Sequence, residues 1–277
     1  MSASSSSFER LIKQDRAIVG TSLVVVALLS WIYLFVLAAE MARGDMSLMG
    51  MGSLKAMGNM AGAMATVPQP WGITTFILML VMWWVMMIGM MIPSAMPMIL
   101  VHARVQRKRH PEENLLSRSG IFTLGYGVAW LGFALVATLL QWALSEAALI
   151  SPMMVATSRY LGVAIFLAAG AYQLTPLKHI CLANCRSPIH FLTTHWRNGR
   201  AGVLRMGVDH GTYCVGCCWF LMVILFFGGV MNLLWVAAIA IFVMMEKLIP
   251  RGELVSRISG VLMLGFAGYL FAEPWLA

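Results

Sequence analysis

Charge is scarce in this chain. Asp, Glu, Lys and Arg make up 11% of its 277 residues and hydrophobic residues 60%, whereas soluble domains carry about 25% charged residues. A water-soluble fold is excluded by that deficit. Also lacking are a P-loop, a Gly-x-Gly-x-x-Gly fingerprint and a Gly-x-Ser-x-Gly elbow. ATP-driven pumping by this chain alone is therefore not expected, and neither is an enzyme with a cleavable substrate. Cysteine is confined to five positions between Cys181 and Cys218. No loop is long enough to fold as a separate domain.

What is abundant is apolar sequence of bilayer length. Runs near 17–39, 72–100, 120–144, 158–177, 203–228, 230–248 and 257–273 each approach the roughly 20 residues a transmembrane helix needs. The expected fold is all-α, a polytopic transmembrane helical bundle of about seven spans, multi-pass in the bacterial inner membrane. Residues 1–16, Ser-rich and mixed in charge, read as a disordered cytoplasmic tail, and 17–277 as one helical membrane domain. With the N-terminus placed in the cytoplasm, 16 of the 19 Lys and Arg residues fall on inner segments, and only Arg43, Lys55 and Arg159 on outer ones. This is the positive-inside pattern, and it puts the C-terminus outside. The net charge of +8 thus orients the chain in lipid, and nucleic acid is not an expected partner.

Within the fifth run the chain reads MGVDHGTYCVGCC. On a helix turning about 100° per residue, Met206, His210, Cys214 and Cys217 fall within about 80° of one another, with Cys218 at the edge. Thiols and an imidazole at membrane depth are costly unless they face protein, water or an ion. Thiolate, thioether and imidazole together suit a soft or borderline transition metal. Asp209 lies about 100° off this face, placed to orient a ligand or to pair with Arg205.

Methionine is the second signal: 15 of 24 lie between Met41 and Met98. Seven of them, Met41 to Met64, fill a Gly-rich outer loop (41–70), which reads either as a copper-capture surface, since thioethers select Cu(I), or as a greasy loop packed on the bundle. In the second run Met82, Met86 and Met90 repeat at four-residue spacing with Met79 on one helix face, with Met87 and Met91 one step round. Such a stripe fits thioether ligation or plain packing. Pro93 and Pro97 are expected to kink or unwind the helix around Ser94. An inner loop (178–200) carries His179, Cys181, Cys185, His190 and His195, close to zinc-finger spacing without matching it. Glu246 is expected to pair with neighbouring Lys247, or to couple protons.

Three of these segments, MMIGMMIPSAMPM, TPLKHICLANCRSP and MGVDHGTYCVGCCWFLM, resemble in order a bacterial family of predicted metal-binding, multi-spanning integral membrane proteins. The resemblance covers most of residues 70–275. It implies metal binding in the membrane and points to Cys181, Cys185, His210, Cys214, Cys217 and Cys218. The expectation is a Cu(I) protein that transports or supplies copper by ligand exchange, with zinc, nickel or cobalt as alternative metals. A copper-dependent or thiol-redox membrane enzyme or subunit is one alternative. An assembly or chaperone subunit for a copper membrane enzyme is the other. Expected partners are lipid, the metal ion, a copper enzyme or chaperone, and a second copy of the chain.

Overall fold

The computed structural model describes residues 2–42, 45–46, 52–53, 71–150 and 156–276, with side chains for 17–40, 71–150 and 156–273. Helix α1 spans Ser2–Ala42, its apolar stretch running Ala17–Glu40. The backbone is helical where a disordered tail is expected. Residues 8–15 hold Glu, Arg, Leu, Lys and Gln, all good helix formers that extend a helix already nucleated by the apolar span. A two-residue antiparallel pair follows, β1 (Asp45–Met46) with β2 (Gly52–Ser53). The rest of the Met-rich stretch, and all its side chains, lie outside the described residues.

Helix α2 runs Ile73–Arg109 and α3 Leu115–Glu146. Pro111 follows the end of α2, and the Asn114 side chain accepts from the Ser117 N–H at 3.2 Å to start α3, an N-cap that satisfies an orphan donor. Despite Pro93 and Pro97, α2 stays helical throughout. The expected unwinding does not occur: Ser94 Oγ donates to the Met91 carbonyl at 2.9 Å, and Tyr126 reaches the same carbonyl from α3.

The fourth apolar run is broken. Helix α4 (Arg159–Gln173) meets α5 (Pro176–Arg186) at a 65° bend. Thr175 caps α5 by accepting the Lys178 N–H, and Pro176 sits at the first helical position, where its missing N–H costs nothing. Next come α6 (Pro188–His195), α7 (Gly199–Val223) and the single turn α8 (Leu225–Gly228). The expected inner Cys/His loop is thus two short helices rather than loop. Helix α9 (Leu233–Leu248) has 16 residues and α10 (Gly252–Leu276) 25.

Among the described residues, five helices are long and apolar enough to cross a membrane, or six if the bent α4–α5 pair is one span. Helix α9, the sixth of the seven expected spans, is shorter than the roughly 20 residues of a full crossing. Helices α2 and α7 are the most enclosed, while α1 and α10 turn residues such as Leu28, Leu29, Leu262 and Phe271 outward.

The α3–α7 contact sets the geometry of the interior. A Cβ on Gly125 would stand 2.2 Å from the Leu204 carbonyl oxygen, and one on Gly207 2.1 Å from that of Phe122. Only glycine permits such backbone approach, the small-residue packing found between membrane helices. Glycines 170 and 260 bring α4 and α10 together in the same way.

Candidate metal centre

Four thiols meet in the interior. Cys214, Cys217 and Cys218 of α7 are 0–1% exposed, and Cys185 of α5 is 8% exposed. The thiol of Cys185 interacts with both Cys214 and Cys217. Cys217 and Cys218 turn their Sγ atoms to the Cys214 carbonyl, at 3.1 and 3.0 Å. All five cysteines are free.

Cys214 is the hub. Its Sγ lies 2.9 Å from Lys247 Nζ and 3.1 Å from the Tyr126 hydroxyl. The same ammonium donates to Ser94 Oγ at 2.9 Å and lies 4.0 Å from Met91 Sδ. Side chains from α3, α5 and α9 therefore meet the Cys214 sulfur of α7, and α2 joins them through the Lys247 ammonium. Among the described residues, no three His, Cys, Asp or Glu side chains stand ready to hold a metal ion. The arrangement accounts for this: two thiols face a carbonyl, and an ammonium lies against the third. Rotating Cys217 and Cys218 about χ1, a change between staggered wells, is the least motion that would aim more sulfur at a common point.

Beside this hub lies a second charged group. Lys178 Nζ is 2.9 Å from both Glu246 carboxylate oxygens, with exposures of 0% and 1%. Gln173 bridges them: its amide nitrogen donates to Glu246 at 3.1 Å and Ser259 at 2.9 Å, while its carbonyl oxygen accepts from Lys178 and Ser256. Glu246 thus pairs with Lys178, not with Lys247 as expected. Adjacent residues on a helix point about 100° apart, so Glu246 faces α4, α5 and α10 while Lys247 faces α2 and α7.

The remaining sequence-selected residues divide. Met206 and His210 are buried on the α7 face as expected, but Met206 Sδ accepts the Arg197 N–H at 3.3 Å, and the His210 ring lies among Tyr126, Phe122 and Phe191 with Nδ1 unpartnered. Cys181 packs its sulfur over Gly216 on a different side of α7, away from Cys214. His179 has both ring nitrogens buried without a partner, and His190 is exposed. Met82, Met86 and Met90 are buried in the core, yet the thioether that reaches the hub is Met91 on the neighbouring stripe. Asp209 faces Arg197 at 3.7 Å rather than Arg205.

Four contributors escaped the sequence reading. Lys247 appeared there only as a partner for Glu246, and Tyr126 and Lys178 not as site residues at all. His102 is fully buried, stacked on Phe122 at 4.6 Å with neither nitrogen partnered. Isolated polar residues inside apolar runs were the available signal.

Residues 80–270 match the model of the PpoB2 family, described as a copper chaperone. The chain belongs to this copper chaperone family. The match takes in the thiol hub, both buried lysines and every helix from α3 to α9. For this chaperone family member, no curated protein and no solved structure gives a match. Copper association thus comes from the family, and membrane character from the five long apolar helices.

Proposed function

We propose that the protein is a Cu(I) chaperone of the bacterial inner membrane, holding the ion at the Cys214 hub and supplying it by ligand exchange. The observation that carries this reading is the convergence of Cys185, Cys214, Cys217 and Cys218 in the interior of a copper-chaperone family member. Thiolates are the side chains that favour Cu(I). Cys214, Cys217, Cys218 and Cys185 are the ligands of choice, with Met91 on one side and His210 on the other as exchange partners. Met206, Met82, Met86 and Met90 line the approach through the core. The Met-rich stretch at 41–70 gathers the ion on the outer face, with the N-terminus cytoplasmic; the C-terminus lies outside if α9 completes a seventh crossing. Cys181, His179 and His190 are alternative landing points at the inner end. Asp209 and Glu246 act through neighbouring cations rather than on the metal.

Supply to a partner enzyme is favoured over autonomous transport because the family is one of chaperones and the sequence offers no energy-coupling motif. The test is Cu(I) titration of the detergent-purified protein against a chromophoric chelator, with the Cys214→Ser/Cys217→Ser variant beside it. Wild type withdraws Cu(I) from the chelator and the variant does not. Protein indifferent to Cu(I), or containing zinc, nickel or cobalt as isolated, overturns the assignment. Reconstitution in liposomes separates the modes: a chaperone binds without flux, whereas a transporter moves the ion unaided.

A further inference from the structure

Resting on that reading, we infer that Lys247 is a built-in monovalent cation that occupies the thiol hub and is exchanged for the cargo ion. Its ammonium is buried, 6% exposed. Among the described residues it has no carboxylate partner, and the neighbouring Glu246 is committed to Lys178 through both oxygens. Its partners are instead soft or neutral: Cys214 Sγ and Ser94 Oγ at 2.9 Å each, and Met91 Sδ at 4.0 Å. In this exchange Cys214 acts as the thiolate, the form of cysteine that binds metal and a strong ligand for soft ions. An ammonium held mainly by sulfur is therefore held by the contact that Cu(I) most readily replaces.

The exchange conserves charge. One cation of charge +1 leaves the Cys214 thiolate as another arrives; a metal–sulfur bond forms, an N–H···S hydrogen bond breaks, and no electron is transferred, with the Met91 thioether as a neutral second donor. Each further thiol that joins the ion gives up its proton to water. A divalent ion taking the same place would add a net positive charge to a buried, low-dielectric site, where charge is expensive. The hub is thereby selective for monovalent soft ions by charge as well as by ligand type. Release is the reverse: the ammonium returns to Cys214 as the ion departs, so the site need not be left with an uncompensated charge. Lys247 lies in the last turn of α9, next to the Ile249–Arg251 turn, which leaves its flexible stem a short route out of the interior.

Silver(I), a redox-inert monovalent probe, tests this directly. In protein stripped of metal and held in detergent, amine-reactive labelling followed by mass spectrometry finds Lys247 protected. Addition of Ag(I) makes it reactive, while Lys178, locked to Glu246, stays protected in both samples. Lys247→Leu removes the competing occupant without adding a sulfur and raises Ag(I) affinity about tenfold, as expected when a binding-competent state no longer competes with an occluded one. The same variant loses part of its discrimination against Zn(II). Ser94→Ala, which removes one of the ammonium's partners without touching sulfur, gives a smaller rise and serves if Lys247→Leu does not fold. Lys247 unlabelled in the Ag(I)-bound protein, or weaker Ag(I) binding by Lys247→Leu, overturns the inference while the proposed function stands. Wild-type protein that takes up no Ag(I) at all overturns both.

Discussion

Glu246 and Lys247 are neighbours on α9, yet they belong to two differently built regions. On one side Lys178, Glu246, Gln173, Ser256 and Ser259 form a closed group in which both charges are matched and the amide satisfies what remains. On the other, Lys247 reaches the Cys214 thiol group, the Ser94 hydroxyl and the Met91 thioether, with the Tyr126 phenol on the same Cys214 sulfur and no carboxylate among its partners in the described residues. The first region is arranged to stay as it is, because removing either charge strands the other. The second is arranged to change, because every partner there can turn to something else. The proposed function places chemistry where the polar groups are least firmly matched.

The sharpest way to break this contrast is to mutate the two lysines separately. Lys178→Met leaves Glu246 buried and unpaired, and such losses cost about 3–5 kcal/mol; Lys247→Met leaves a sulfur that takes up a proton and a hydroxyl without its donor, and costs about 1–3 kcal/mol. Thermal unfolding in detergent should therefore drop further for Lys178→Met, and Lys178→Met/Glu246→Gln should recover much of the loss. Equal losses for the two lysines would erase the distinction.

Metal affinity should divide the other way. Cys214→Ser is expected to weaken Cu(I) binding by more than the roughly 10–100-fold seen when outer supports of a metal site are removed. Cys181→Ser, whose sulfur lies over Gly216 instead, should leave chelator competition near wild type, and a large effect there would move the site. Between the two falls Gly207→Ala, which should lower stability by about 1–3 kcal/mol through overpacking and weaken Cu(I) binding by displacing α7, read by unfolding and titration together. Asp209→Asn should do least. Its 3.7 Å pair with Arg197 is part-exposed, and such pairs contribute about 0.2–1 kcal/mol.

How much of this was legible in the sequence depends on range. Each of the seven apolar runs corresponds to helical backbone, because hydrophobic length is a local property. The α7 cluster was legible for the same reason: Cys214, Cys217 and Cys218 are one turn apart, and helical periodicity alone puts them together. Cys185 could not be placed by such reasoning. It joins the cluster because Thr175 and Pro176 break the fourth run and start a new helix against α7, so a segment expected as loop is packed interior. The lysine assignments failed at longer range still. Lys178 and Glu246 are 68 residues apart, and Cys214 and Lys247 33; adjacency in sequence favoured Glu246–Lys247, whereas the 100° turn between neighbours on a helix sends them to opposite sides. Among the methionines of α2 it is Met91, one step round from Met82, Met86 and Met90, that reaches the Lys247 ammonium.

The interlocked glycines of α3 and α7 carry a consequence for how the family tolerates sequence change. With backbone touching backbone at Gly125 and Gly207, the two rods are keyed together like teeth of a zip, and neither can roll without lifting off the other. On the proposed function, handover of an ion would then proceed by side chains swinging on a stationary frame. A bulkier residue at either notch, well removed from any sulfur, would wedge the rods apart, carry the Tyr126 phenol away from Cys214, and silence the protein from a distance.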